Sequence, residues 1–399
     1  MSTNTETKQT KNTSRRRNGA ASKEKPSDKV QELRERLKAA VKERDTEVDA
    51  VLSAVLAEEH VVLLGPPGTA KSMLTRLLCN AITGARYFEW MMTRYTEPNE
   101  LFGPTDLKKW TDTGDYGRVM TGKLPEADIV FLDEIYKANS AILNALLPVI
   151  NERVFHDGAA GSHRVPLRSV IGASNELPES GGELEALHDR FLVRLVVDYV
   201  AEEESFNSIL FGEEPSVDPI LTFDMLDAAI AEAQALPVSK EVGRALFELR
   251  EKLNQEGIVV SDRRWRKLVK LLRSYAYLNG DSMVETIHFE ILVHGMWRDP
   301  RERSKVQGIV TKVASPALSE ATEVFDAIME QVNGLPAQDV RSNGGPTVAA
   351  EVKKAMKRLE EKRGDAGPAV SERIGAMIGR LQDAHTGITE KVMAEMGMD

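Results

Sequence analysis

Apolar residues recur along this chain in two rhythms. In "DKVQELRERLKAAVKE", Val30, Leu33, Leu37 and Val41 fall three and four positions apart, which predicts a helix with one buried face. Ser27 stands ahead of it as an N-cap. A second helix, "VDAVLSAVLAE", leads into "HVVLLG". That run is short, β-branched and uncharged, the pattern of a parallel strand buried on both faces. From there strands and helices alternate: strand 61–64, loop 65–70, helix 71–82, a strand near 86–91, the strand "IVFLDE", a helix from about 139 to 152, a β-hairpin in "RVFHDG…SHRVPLR" and the strand "SVIGASN". Such alternation predicts an α/β domain, a parallel sheet flanked by helices, closing near residue 200.

The rhythm then becomes helical throughout. Between about 203 and 298, Val242, Leu246, Leu249 and Leu253 share one face, as do Trp265, Leu268, Val269, Leu272 and Tyr275. Residues 301–399 also read as helices, broken by "NGLPAQDVRSNGGP" and "RGDAGP". In the last helix Ile374, Ile378, Leu381, His385, Ile388 and Val392 alternate at spacings of four and three, a seam weakened by Gly375, Gly379 and Gly387. Packing within the chain is favoured there over a coiled coil between chains. The chain thus divides into a basic tail expected to be disordered (1–27), an α/β nucleotide-binding domain (28–200), an all-α domain (201–300) and a helical C-terminal extension (301–399).

Composition narrows the picture a little. No run of about eighteen apolar residues is present, and the N-terminus lacks the apolar core of a secretory signal. The single cysteine, Cys79, lies in an apolar helical run and is expected to be buried, which fits a reducing cytoplasm. A net charge of −10 opposes whole-surface attraction to nucleic acid, leaving Arg15, Arg16 and Arg17 of the tail as the obvious basic patch.

Chemistry enters with "GPPGTAKS", residues 65–72. A phosphate chain requires converging backbone N–H groups and the positive end of a helix. Gly65 and Gly68 let the backbone turn and approach the oxygens, with Pro66, Pro67, Thr69 and Ala70 completing the loop. Lys71 is placed to reach the outer phosphates of ATP, and the Ser72 hydroxyl to take a Mg²⁺ position. Ala70 stands where the usual pattern has a second glycine. It is expected to open the following helix, where helical φ and ψ suit alanine. In "IVFLDE", Asp133 would hold Mg²⁺ through water and Glu134 would orient the attacking water. Asn175, ending "IGASN", is a candidate for contact with the γ-phosphate and that water. In "HDRFLVRL", Arg190 is the favoured arginine finger, acting on a neighbouring subunit's nucleotide, and Arg194 is its rival or a solvated edge residue. In "SDRRWRK", Arg263 or Arg264 is expected to reach back toward the γ-phosphate, one as a catalytic sensor and the other as a nucleotide-binding group.

Taken in order, "LLGPPGTAKS", "MTRYTEPNELFGP", "LPEADIVFLDEIYKANSAILNALLPVINERVF", "ASNELPE", "LEALHDRFLVRL" and "VSDRRWRK" resemble the AAA+ ATPases, and more closely the MoxR family and its RavA-like branch. The resemblance spans about residues 43–298. It implies an AAA+ P-loop domain followed by an all-α lid, an adenine-side stretch at 43–49, ATP and Mg²⁺ as cofactors, and a ring, expected to be a homo-hexamer. It also implies chaperone-like work on protein clients with a VWA-domain partner. The insert 106–123 and the hairpin 154–168 would face the ring's channel, making Trp110 and Tyr116 candidates for gripping a client. The helical extension departs from the RavA-like pattern, which has a small β-rich module there. Three alternatives stand beside this reading: a nucleic-acid motor using Lys108, Lys109, Lys123, His163, Arg164 and Arg168, a metal-chelatase-type motor subunit, and a nucleotide-gated scaffold with little turnover.

Overall fold

Proline at the first helical position starts helix α1 (Pro26–Ala40), ahead of the expected Ser27 cap, because a missing N–H costs nothing where no intrahelical partner exists. The computed structural model describes residues 25–157, 161–178, 183–334, 344–364 and 368–396, so most of the basic tail, 1–24, lies outside the described residues. α2 (Asp45–Leu56) is exposed at its acidic start, Asp45, and buried continuously from Ala50 to Leu56, where its sequence is apolar but for Ser53. Strand β1 (Val61–Leu64) is buried at every position. It is followed by α3 (Lys71–Asn80), β2 (Ile82–Thr83), β3 (Tyr87–Met91), the short α4 (Pro98–Phe102) and α5 (Leu107–Thr113). Then come β4 (Ile129–Asp133), α6 (Ser140–Glu152), the hairpin strands β5 (Val154–His156) and β6 (Ser162–Arg164), β7 (Ser169–Ser174), α7 (Glu183–Arg190) and β8 (Val193–Val196).

The central sheet runs β3-β4-β7-β1-β8, and its four pairings are all parallel. Val61 stands level with Ile171 on one side and Val193 on the other, so β1 lies between β7 and the edge strand β8. Parallelism has one decisive consequence. The turns after β1, β4 and β7 share one edge of the sheet, and the segments entering β1, β7 and β8 share the other.

Beyond β8 come α8 (Glu203–Phe211), β9 (Leu221–Thr222), α9 (Phe223–Ala235), α10 (Lys240–Gln255), α11 (Asp262–Leu278), α12 (Val293–Met296) and α13 (Arg303–Ala314). This stretch is helical as expected, with one exception: β9 pairs in parallel with β2 of the α/β domain. Ser239 and Ser261 cap α10 and α11 by accepting from Val242 N and Arg264 N. A single apolar cluster runs from Val30 through the sheet to Val313, so lid and α/β domain share one core. The last helices, α14 (Pro316–Asn333), α15 (Gly344–Gly364) and α16 (Pro368–Met396), close a second core around Phe325, Val352, Leu359, Ile374 and Leu381. Ile374 and Leu381 of the seam are therefore spent on packing within the chain. Cys79 is buried, and burial pushes its thiol pKa up, away from reactivity. Among the described residues no helix is long and apolar enough to cross a membrane.

Candidate functional site

The loop after β1 is shaped by what presses on it. Gly65 donates to Ser174 O at 3.0 Å, and a side chain at this position would meet the Val197 carbonyl oxygen at 2.0 Å. Only glycine fits such an approach. Gly68 takes φ +80 with nothing within 4 Å of a would-be Cβ, so its demand is conformational, and the space beside it is open. Ala70 overturns the expectation set for it. It caps α3 from outside the helix, at φ 64 and ψ 19, in the left-handed region where alanine is disfavoured. The methyl group is tolerated at a conformational cost; it is not preferred.

Lys71 lies over this loop. Its Nζ donates to Gly65 O and Pro66 O, both at 2.7 Å, and more weakly to Thr69 Oγ1 at 3.3 Å and Asn175 Oδ1 at 3.4 Å. Burial lowers its pKa, while the carboxylates of Asp133 and Glu134 oppose that shift. Asn175 Nδ2 in turn donates to Glu134 Oε1 at 2.7 Å. A continuous chain of polar contacts thus links Lys71, Asn175 and Glu134 across the ends of β1, β7 and β4. Glu134 sits at φ 51 and ψ 42, a strained backbone that turns its carboxylate back over the sheet edge, where Lys137 Nζ approaches at 3.3 Å. Asp133 Oδ1 accepts from Glu134 N at 2.9 Å. Ser72 occupies the first turn of α3. Hard oxygen donors at Asp133 and Ser72, beside an open glycine turn, suit a divalent cation held against phosphate.

One residue here lacked a sequence signal of its own. Arg44 is buried, with its guanidinium bonded to Thr69 O at 3.5 Å, to Glu43 O at 2.7 Å and to Asp198 O. It braces the loop after β1 from the segment ahead of α2. A lone arginine in "KERD" becomes visible only when the loop folds back onto it.

The arginines lie elsewhere. Arg190 ends α7, Phe191 and Leu192 lead into β8, and Arg194 follows within that strand. They occupy the sheet edge opposite the phosphate loop. Arg190 keeps 28% of its side chain exposed and makes a 3.5 Å contact with Asp189. Arg194, expected as a rival finger or a solvated edge residue, is neither. It is 1% exposed and donates to Trp297 O and, at 3.2 Å, to His188 O. Burial lowers its pKa to about 10.

Arg264 is more deeply committed. It donates to Gly295 O at 2.6 Å, Asp189 O at 3.1 Å, Phe191 O at 3.0 Å and Leu192 O at 2.7 Å, and burial takes its pKa to about 9. Its donors hold the lid to the segment entering β8, so the expected contact with a nucleotide is not what this geometry provides. Arg263 is exposed and donates to Asn151 Oδ1 at 3.1 Å, beside Ile150, whose carbonyl lies 3.0 Å from Nε2 of His60 at the entry to β1. Neither member of the pair reaches its own chain's phosphate loop, a correction that follows from α11 packing along the far edge.

Residues 28–216 match the family model described as the MoxR domain in the MoxR-vWA-beta-propeller ternary systems, and residues 241–310 match an AAA lid domain. Two uncharacterized proteins of Methanocaldococcus jannaschii are similar: one is 39% identical over 79% of this chain and 84% of its own length, the other 38% over 84% and 85%. This chain belongs to the MoxR family of AAA+ ATPases. A crystal structure from Cytophaga hutchinsonii, provisionally described as an ATPase, superposes with a TM-score of 0.58 over 72% of this chain and 94% of its own, at 17% identity, and so shares the fold. As a MoxR-family protein the chain has the expected architecture: parallel sheet, flanking helices, lid, and a helical C-terminal region.

Proposed function

We propose that this MoxR-family chain hydrolyses ATP at sites completed between neighbouring copies in a homo-hexameric ring, and that turnover drives remodelling or assembly of protein clients with a VWA-domain partner. One observation carries the reading. Lys71, Asn175 and Glu134 are joined at one sheet edge, while Arg190, the one partly exposed arginine beside the buried Arg194 and Arg264, stands at the other. A chain so built supplies the phosphate site from one edge and transition-state charge from the other, to different nucleotides.

In this mechanism Lys71 exchanges its loop carbonyls for phosphate oxygens. Glu134, fixed by Asn175, orients a water and accepts its proton, and Arg190 of a neighbour offsets the charge that develops. Ser72 and Asp133 would hold Mg²⁺, which when bound neutralises phosphate charge. Protein clients fit the surface of α5, where no residue is buried and Trp110 is 58% exposed. The VWA-domain partner is supported by the matched model's description, and the RavA-like branch by the wording of the motifs. A nucleic-acid motor fits less well: of the six basic residues available to it, Arg168 pairs with Glu58 at 2.5 Å and Asp227 at 2.7 Å, and Lys123 donates to Glu100 O at 3.0 Å.

Steady-state phosphate release tests the core of the proposal. Wild type is expected to turn over ATP with Mg²⁺, Lys71→Ala to lose binding, and Glu134→Gln to bind without turnover. Full turnover by Glu134→Gln removes that residue's role, and a wild type without turnover makes the chain a nucleotide-gated scaffold. The same Glu134→Gln chain, loaded with ATP, is the bait expected to retain a VWA-domain protein and client together.

A further inference from the structure

Among the described residues, the segment after β8 leaves an apolar helix face exposed. On α8, Phe206, Ile209, Leu210 and Phe211 are exposed by 53%, 59%, 54% and 83%, and Ser205 is the only buried residue. Four large apolar side chains on nine residues form a patch, whereas scattered single exposures carry no meaning. The patch has a fixed address. Glu43 accepts from Ala201 N at 2.8 Å and Glu202 N at 3.0 Å, and its neighbour Arg44 is bonded to Thr69 O of the phosphate loop. α8 is thereby tethered beside the nucleotide edge of the sheet. Acids surround it, with Glu202, Glu203 and Glu204 leading in and Glu213 and Glu214 following.

The opposite edge has the complementary character. The turn between α10 and α11 exposes Val259 by 67%, and the first turns of α11 expose Arg263 and Arg266. Lys267 of the same helix pairs with Glu59, just ahead of β1, which fixes α11 along that edge. These two surfaces stand at opposite ends of one sheet, so a single chain cannot bring them together.

We propose that α8 docks on the α10–α11 corner of a second copy of this chain, its apolar face against Val259 and its flanking acids against Arg263 and Arg266. The inference rests on the ring reading above, in which the edge that carries Arg190 in one copy faces the loop edge of the next, the edge beside which α8 is tethered. Charge complementarity and the shared address of α8 and the loop select a second copy as the occupant. The contact makes assembly responsive to the loop through Glu43 and Arg44.

The test compares wild type with a Phe206→Ala, Ile209→Ala, Phe211→Ala chain by sedimentation equilibrium in a non-hydrolysable ATP analogue. Alanine keeps the helix, so an unchanged melting temperature shows that the fold survives. The variant is expected to bind the analogue within about twofold of wild type and to need at least about tenfold more protein to assemble. Arg266→Glu, on the other surface, is expected to weaken assembly in the same direction. Assembly by the triple variant at the wild-type concentration overturns the proposal and leaves the ring reading standing, with α8 assigned to a different protein. A wild type that hydrolyses ATP as a monomer, with specific activity independent of concentration, overturns the ring reading and the docking together.

Discussion

The two edges of the central sheet spend the same kinds of charge in opposite ways. At the loop edge, Asn175 links Lys71 to Glu134, and the lysine holds carbonyls that a phosphate can displace. At the arginine edge, Arg194 and Arg264 are buried, and their donors close on main-chain carbonyls of the β8 entry and the lid. One edge is built to exchange partners and the other to keep them. Arg190 is the exception that joins them, being on the fixed edge yet lightly bonded. Burial, more than residue type, separates a structural arginine from one free to act on another molecule.

The contrast is broken most severely at the hydrolytic centre. Glu134→Gln and Arg190→Ala are each expected to lower ATP turnover by about 10³-fold or more, with binding retained. Because Arg190 cannot reach its own chain's loop, mixing Arg190→Ala with Lys71→Ala subunits should restore part of the turnover at mixed interfaces, read as phosphate release against mixing ratio. Absence of rescue at every ratio would count against action in trans.

Next in size is stability at the fixed edge. Arg264→Met strands the carbonyls of Gly295, Asp189, Phe191 and Leu192 in a buried seam, an expected loss of about 3–5 kcal/mol in denaturant unfolding. Arg190→Ala should stay within about 0.5 kcal/mol of wild type in the same measurement. Equal losses in the two would erase the distinction between them.

Acid should loosen the same seam. His188 is buried between the Tyr136 hydroxyl, 2.5 Å from its Nδ1, and the Arg298 carbonyl, 3.2 Å from its Nε2. Burial, with Arg194 nearby, depresses its pKa to about 3, and burial takes His294 to about 4. Both stay neutral in the native state while the unfolded chain takes up protons near pH 6.5. Their stabilising contribution is therefore complete above about pH 6.5 and declines as pH falls toward the native values, by about 1.4 kcal/mol per pH unit for each histidine. Urea unfolding at pH 7, 6 and 5 should show that slope, and His188→Gln should remove one histidine's share of it.

Much of this was legible in the sequence. Uncharged β-branched runs ending in Gly65, Asp133–Glu134 and Asn175 give buried parallel strands whose polar ends meet, since parallel pairing puts every such end on one edge. What stayed hidden was side-chain fate at the other edge. Arg263 and Arg264 are adjacent in sequence, but a helix turns adjacent residues by about 100°, sending one to solvent and one into the seam. Arg194 looked like an edge residue because nothing local announces that Trp297, a hundred residues on, will offer it a carbonyl. α8 was hidden for the opposite reason: helical pattern alone does not say which apolar positions stay exposed, and no element among the described residues buries Phe206, Ile209, Leu210 or Phe211.

The smallest effect concerns Ala70. Its φ of 64 puts an alanine where a glycine avoids a cost of about 1–2 kcal/mol, offset by the extra freedom that glycine regains in the unfolded chain. Ala70→Gly is therefore expected to raise stability by about 0.5–1 kcal/mol. Its effect on ATP affinity depends on whether the loop holds this conformation when phosphate arrives. If it does, the strain is present before and after binding and cancels, and the dissociation constant measured by isothermal titration should move by less than about tenfold. A larger gain in affinity would show that binding requires a left-handed backbone the free loop only partly occupies, so that glycine removes a cost of ordering. A loss would show the reverse, an alanine whose strain is released as the loop closes on phosphate.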